Sequence, residues 1–171
     1  MCKESGMTNK GTLYFLIGKM GAGKSTHSKT LAEQVGAIRI SEDDWLSLLY
    51  PDEIQTFDDF VVRHRRLLSV IRPHVQQLLS VGNAVVLDFP ANTQRDRQWF
   101  VQLATDVAAA HRAVYLSASD DVCLARIAQR RVAQPERAAF DNEAVFTAVT
   151  KLFEPPQQRE NLNLEEWVQT L

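Results

Sequence analysis

The chain has 171 residues, of which 45% are hydrophobic and 23% charged, and its formal net charge is −2. This balance predicts one globular domain, residues 1–171, and gives no general support to binding of a long nucleic acid or an anionic membrane. No apolar run approaches the roughly 20 residues of a membrane-spanning helix, and residues 1–10 lack the apolar core of a signal peptide. We therefore expect a cytoplasmic protein with a flexible stretch at residues 1–10 and no membrane partner.

Short apolar strands alternate along the chain with longer helical patterns, which is typical of a parallel sheet covered by helices. The predicted strands are Thr12–Ile17, Ala37–Ile40, Ala84–Asp88 and Arg112–Ser117. The predicted helices are Lys24–Val35, Asp43–Leu49, Phe57–Val81, Thr93–Ala109, Asp120–Arg131 and Asp141–Phe153. The sequence thus predicts an α/β domain, whose ligands bind beyond the carboxyl ends of the strands.

The last part of the chain has a weaker pattern. Pro155 and Pro156 end the last long helix, because proline cannot continue one. After them, Leu162 and Leu164 alternate with polar residues, which indicates an added edge strand, and we expect a short terminal helix over Glu165–Thr170.

The first strand runs directly into a glycine-rich loop that matches the phosphate-binding pattern G-x-x-x-x-G-K-[ST]. Glycines let successive backbone N–H groups face one phosphate cluster, and the following helix places its N-terminus behind them. In this pattern the lysine reaches the β- and γ-phosphates and the serine hydroxyl ligates Mg²⁺. We therefore predict a site for ATP and Mg²⁺ formed by Gly18, Lys19, Met20, Gly21, Ala22, Gly23, Lys24, Ser25 and Thr26.

Acidic residues follow the second and third strands at the same sheet edge. Asp43 and Asp44 come after the second strand, where a carboxylate can accept the proton of a hydroxyl that attacks the γ-phosphate. Asp43 could instead only cap the following helix, and either acid is a candidate base. Asp88 ends the third strand, at a position suited to ligating Mg²⁺, to binding substrate or to capping.

Two arginines form a basic cluster late in the chain. Arg126 and Arg130 are four residues apart and therefore share one helix face. They precede a weakly patterned segment, residues 131–140, which we predict to be a small lid over the nucleotide. Arginines delivered by a lid would neutralise the charge of the transferred group, although a solvated surface with ordinary ion pairs is the alternative.

These residues together resemble a group of small P-loop kinases that includes the polynucleotide 5′-hydroxyl kinase domain, the zeta-type toxins and bacterial AAA-type ATP-binding proteins. The resemblance runs from Leu13 to Pro156. It rests on the phosphate loop, on Ser41-Glu42-Asp43-Asp44-Trp45, on Asp88 with Asn92 and Arg95, and on Arg126-Ile127-Ala128-Gln129-Arg130.

The resemblance implies a three-layer P-loop fold with sheet order 2-3-1-4-5. It also implies that Asp43 activates the acceptor hydroxyl, that Arg126 and Arg130 contact the triphosphate beside catalytic Lys24, and that Asp88 lies near the acceptor and the metal. We assign Asp44, Asp88, Asn92 and Arg95 to substrate binding and Ser25 and Asp88 to the metal.

The chain departs from the polynucleotide kinases at two positions: Leu46 replaces an arginine, and Phe89 replaces a small or polar residue. These departures favour a small molecule or nucleotide as acceptor. We therefore predict an ATP- and Mg²⁺-dependent phosphotransferase that acts on a hydroxyl. The alternatives are a 5′-hydroxyl nucleic-acid kinase, a toxin-like nucleotide-sugar kinase, or a regulatory NTPase without an acceptor; no Asn-Lys-x-Asp guanine-binding motif is present.

Overall fold

A computed structural model describes residues 9–135 and 140–170 of the chain. Five parallel strands form one sheet in the order β2-β3-β1-β4-β5, which confirms the predicted order 2-3-1-4-5. The strands are β1 (Thr12–Ile17), β2 (Ile38–Ser41), β3 (Val85–Asp88), β4 (Ala110–Ala118) and β5 (Leu164–Gln169). The helices are α1 (Lys24–Val35), α2 (Glu42–Leu49), α3 (Phe57–Ser80), α4 (Gln94–Thr105), α5 (Asp120–Ala133) and α6 (Glu143–Thr150).

The sheet is buried on both faces, because alternate side chains of the central strand point to opposite sides. Leu13, Phe15 and Ile17 of β1 pack with apolar residues of α3 and α4. Leu16 belongs to a second cluster, which contains residues of α1 and α5. The domain is therefore a three-layer α/β structure, as the alternation of strands and helices predicts.

The long helix α3 contributes the most buried helical residues to the apolar cluster that contains Leu13, Phe15 and Ile17. Leu67, Ile71, Val75 and Leu79 are buried at the three- and four-residue spacing of one helix face. The hydroxyl of Thr56 caps this helix by accepting from the backbone N–H of Asp59, and the carboxylate of Asp59 accepts from the backbone N–H of Thr56. Two backbone N–H groups at the start of the helix are thereby hydrogen-bonded. Helix α3 begins at Phe57, a few residues after α2 ends at Leu49, and its buried face packs against the sheet.

The prediction of a terminal helix over Glu165–Thr170 is wrong, because these residues lie in or just after strand β5. β5 pairs with β4 in parallel from Leu164 beside Ala113 to Gln169 beside Ala118. The free edge of β4 satisfies the backbone of this segment, and that tertiary pairing outweighs a weak local preference.

Several predicted boundaries move by a few residues. The fourth helix ends at Thr105 rather than Ala109, because the chain turns through Ala108, whose φ is 55°. The last helix begins at Glu143 and is capped by Asn142. Residues 131–133 of the predicted lid belong to α5, whereas residues 136–139 lie outside the described residues, as do residues 1–8 of the predicted flexible stretch. No helix within the described ranges has the length and apolar character to span a membrane.

Candidate functional site

The glycine-rich loop joins β1 to α1 and has the backbone conformation that its sequence predicts. Gly21 and Gly23 have φ values of 79° and 97°, in the left-handed region that favours glycine. A Cβ atom on Gly21 would lie 2.6 Å from the carbonyl oxygen of Cys123, so only glycine fits between the loop and α5. Gly23 is the N-cap of α1, which places the end of that helix at the loop. The loop therefore has the form of an anion site.

Lys24 folds back over the loop and is the most perturbed base of the site. Its Nζ donates to the carbonyl oxygens of Gly18 at 2.6 Å and Lys19 at 2.9 Å. Burial lowers the pKa of Lys24 to about 8, although the negative charges of Asp88 and Asp43 act in the opposite direction. The two carboxylates predicted to lie at this edge are therefore close enough to act on the phosphate-loop lysine.

The two predicted arginines differ in what they contact. Arg126 donates to the carbonyl oxygen of Ala22 in the loop at 3.0 Å and to that of Thr170 at 3.0 Å. Arg130 instead forms a bidentate pair with the buried carboxylate of Asp141, at 2.6 and 2.5 Å. Arg126 thus contacts the loop directly, whereas Arg130 is paired with a residue of the turn before α6, and its charge adds to the effect of burial in lowering the pKa of Lys24.

The acidic pair at the start of α2 is not occupied with capping. Ser41 is the N-cap residue, and its Oγ accepts from the backbone N–H of Asp44 at 3.4 Å. Asp43 and Asp44 lie in the first turn, where both are exposed. The alternative in which Asp43 only caps the helix is therefore wrong, and its carboxylate is available for other chemistry.

An arginine that no sequence pattern indicated connects the acid after β2 with the acid at the end of β3. Arg39 of β2 donates to Asp44 at 2.9 Å, to Asp88 at 2.6 Å and to the hydroxyl of Ser28 at 2.8 Å. Ser28 in turn donates to Asp88 at 2.9 Å. No motif indicated this role, because one arginine in an apolar strand has no spacing signal.

A second pair near Asp43 was also missed. Glu42, the first residue of α2, is buried, and its carboxylate is hydrogen-bonded to Nδ1 of His64 on α3. Burial raises the pKa of Glu42, while the bond to His64 opposes that shift. The pair connects the start of α2 to α3 and so helps to hold the turn that carries Asp43.

The loop after β3 is fixed by the C-terminal part of the chain. Arg97 is fully buried and donates to the carbonyl oxygens of Ala91 and Glu154 and to the carboxylate of Glu160. The carbonyl oxygen of Asn92 accepts from the N–H of Glu154 at 2.9 Å, while its buried side-chain Oδ1 has no hydrogen-bond partner among the described residues.

The remaining predicted positions differ in how well they fit their roles. Arg95 lies in the first turn of α4 with its side chain exposed. Leu46 and Phe89 are both buried in the core, so neither offers a polar contact to an acceptor. Ser25 is exposed at the first turn of α1, and its hydroxyl fits a phosphate-bound Mg²⁺. The described residues contain no group of three or more metal-ligating side chains.

Comparison with known proteins places this arrangement in a family. The AAA domain family matches residues 13–156, whereas no curated protein matches the sequence. A candidate kinase from Chloroflexus aurantiacus is 20% identical, with a TM-score of 0.72 over 95% of this chain and 87% of its own.

Two other solved structures have the same fold. The Mycobacterium tuberculosis APS kinase CysC, in complex with AMPPNP and APS, is 18% identical, with a TM-score of 0.59 over 94% of this chain and 89% of its own. A gluconokinase from Sinorhizobium meliloti is 16% identical, with a TM-score of 0.59 over 94% and 83%. At these identities the likeness concerns the fold, which is the three-layer P-loop fold that the sequence predicts.

Proposed function

The chain belongs to the AAA domain family, and on that premise we propose that it is a P-loop kinase that transfers the γ-phosphate of ATP to a hydroxyl group. The observation that carries the proposal is the convergence on Lys24. Ser28, on the helix that follows the loop, donates from Oγ to Oδ2 of Asp88 at the end of β3, at 2.9 Å. Burial lowers the pKa of Lys24, and the charges of Asp88 and of Asp43, just after β2, oppose that shift. A loop that holds a triphosphate thus lies beside carboxylates that can serve an acceptor.

The donor half of the proposed reaction is assigned to the loop. Lys24 and the backbone amides of Gly21, Gly23 and Ser25 hold the phosphates, and Arg126 approaches from α5. Arg130 lies on the same helix, and its charge adds to the effect of burial in lowering the pKa of Lys24, so it would approach the triphosphate from the same side. The Ser25 hydroxyl would hold Mg²⁺, which when bound would supply neutralisation of the charge on the transferred group.

The acceptor half is assigned to the acids. Asp43 orients the acceptor hydroxyl and takes its proton while the hydroxyl oxygen bonds to the γ-phosphorus and the bond to the ADP oxygen breaks. Asp44, Asp88, Asn92 and Arg95 surround the acceptor. A small molecule or nucleotide is the acceptor we favour, because the position where the polynucleotide kinases have an arginine is occupied by Leu46, which is buried in the core.

The likeness to APS kinase and gluconokinase supports a phosphotransferase without naming the acceptor. The narrower resemblance to polynucleotide kinases and zeta-type toxins remains part of the proposal. A regulatory NTPase is the second candidate, favoured only by the exposed position of Asp43 and Asp44, which water could reach directly.

The experiment is a screen with γ-labelled ATP against pooled sugars, nucleosides, antibiotics and 5′-hydroxyl oligonucleotides. We expect one pool to gain label, and Asp43→Asn to keep ATP binding while transfer falls about 10²–10⁴-fold. Asp58→Asn is the matched control, because Asp58 is an exposed acid in the first turn of another helix, α3, and has no part in the proposed site. Transfer at the wild-type rate by Asp43→Asn would show that Asp43 is not the base. Slow hydrolysis that no pool alters would favour the regulatory NTPase.

A further inference from the structure

Arg39 has no role in the proposed reaction, yet it touches three elements of the site. Its side chain leaves β2 and reaches Ser28 of α1, Asp44 of α2 and Asp88 at the end of β3. A lysine has no planar fork and could not meet three such partners in this geometry. The guanidinium therefore joins α1, α2 and β3 at the side of the site where the acids lie.

Of the two carboxylates bound to Arg39, that of Asp88 is the more buried. Its side chain is only 8% exposed, and one oxygen, Oδ2, accepts both from Arg39 and from Ser28. A buried carboxylate is stable when it is paired and hydrogen-bonded, and Arg39 supplies both. Burial alone would lower the pKa of Arg39, but its bonds to Asp88 and Asp44 outweigh that and raise it, so the guanidinium keeps its charge.

We propose that Arg39 takes the cation position at Asp88, so that Asp88 and Asp44 form an acceptor-side wall held by the guanidinium while Mg²⁺ is held without Asp88. The inference rests on the proposed function. A divalent cation on the same carboxylate would lie beside a fixed positive charge in a half-buried setting, where like charges repel strongly.

The same contacts give Arg39 a positioning role. The side chain of Asp44 is 60% exposed and would otherwise sample many rotamers, whereas Arg39 ties it to buried Asp88. Arg39 thus holds two acceptor-side carboxylates at a set separation, next to Asp43 on the same helical turn. This role needs a forked guanidinium for geometry, but only a positive charge to keep a metal away from Asp88.

The test measures metal binding directly, with Mn²⁺ in place of Mg²⁺ and free Mn²⁺ counted by electron paramagnetic resonance in the presence of ATP. Asp88→Asn should leave the Mn²⁺ affinity of the ATP complex within about twofold, far from the 10–100-fold loss typical when a metal site is disrupted. Arg39→Gln should tighten Mn²⁺ binding about tenfold, and the double variant Arg39→Gln with Asp88→Asn should lose that gain.

Two controls separate charge from structure. Arg39→Lys keeps a positive charge beside Asp88 and should behave like the wild type in the Mn²⁺ assay. Arg72→Gln removes an arginine of α3 that pairs with Asp106 at the end of α4, and it should change nothing. If Arg39→Gln fails to fold, Asp88→Asn alone decides, because it keeps size and hydrogen bonding.

The outcomes are distinct. A loss of tenfold or more in Mn²⁺ affinity in Asp88→Asn would overturn the inference, since it would make Asp88 a metal ligand. Unchanged Mn²⁺ affinity in a folded Arg39→Gln would also overturn it, since Arg39 would then not be what keeps metal away. Failure of the wild type to bind ATP would instead overturn the proposed function on which the inference rests.

Discussion

The two sides of the proposed site, the glycine-rich loop assigned to the donor and the acids assigned to the acceptor, are built in different ways. On the donor side, Lys24 bonds to a carbonyl oxygen six residues away, and the loop takes its form from its own glycines. On the acceptor side, Arg39 bonds to Asp88 across 49 residues and Arg97 to Glu160 across 63. The donor side is thus a local backbone structure, whereas the acceptor side is an assembly of distant side chains.

This difference has a chemical reason. Every triphosphate presents the same charged oxygens, so a loop of backbone N–H groups suffices to bind it. A hydroxyl-bearing acceptor must be placed by side chains, and these come from whichever elements the fold brings together. We therefore expect changes on the two sides to have separable effects, and the predictions below test that separation.

The largest effect should come from the buried pair of Arg97 and Glu160, which fixes the loop after β3. Arg97→Met leaves Glu160 buried without its cation, and we expect a loss of about 3–5 kcal/mol in the free energy of unfolding. Arg72→Met, which breaks a more exposed pair with Asp106, should cost far less, because water screens that pair. Urea denaturation of both variants measures this. Equal losses would mean that burial does not distinguish the two pairs.

The next effect should fall on the donor side alone. Lys24→Met should weaken ATP binding by about 10- to 100-fold, because it removes a charge-assisted bond to the phosphates worth about 1.5–3 kcal/mol. The lowered pKa of Lys24 means that its charge opposes folding near neutral pH, so the variant should melt no lower than the wild type. Calorimetric titration and thermal melting measure both properties. Lys29→Met, an exposed lysine on the same helix, is the control.

A smaller effect should come from the loop backbone. Gly21→Ala forces a left-handed residue, at about 1–2 kcal/mol, and drives its Cβ against the Cys123 carbonyl oxygen, so both stability and ATP affinity should fall. Gly36→Ala has the same kind of φ, 63°, but nothing within 4 Å of the added Cβ. Gly36→Ala should lower the free energy of unfolding only by the cost of the left-handed conformation and should leave ATP binding unchanged. Equal ATP affinities in the two variants would argue against close packing of the loop on α5.

The smallest effect should be a pH dependence of ATP binding. The pKa of Lys24 is about 8 in the free protein, and a bound triphosphate must raise it by favouring the charged form. Affinity should therefore be constant below pH 8 and fall by up to about tenfold for each pH unit above it. Titrations between pH 7 and pH 9.5 check this, with Lys24→Met as the variant that should lose the slope. A slope that persists in Lys24→Met would assign the titration to another group.

Local patterns were enough to predict the phosphate loop, the alternation of strands and helices and the acids after two strands. A loop of fixed glycines and a strand of apolar residues each carry their signal within a few neighbours. Family resemblance added the sheet order, which the structure confirms. The same local reasoning failed at Glu165–Thr170, because strand β5 forms only where the free edge of β4 is present to pair with it.

Tertiary structure alone decided the partners of the acids. Arg39, His64 and Arg97 stand in a strand and two helices without any motif, and their roles appear only when Asp88, Glu42 and Glu160 are brought beside them. A buried charge must find its counter-charge somewhere in the fold, but the sequence does not say where. For this protein, local sequence therefore determined the form of the glycine-rich loop, and packing between distant elements determined which counter-charges the acids meet.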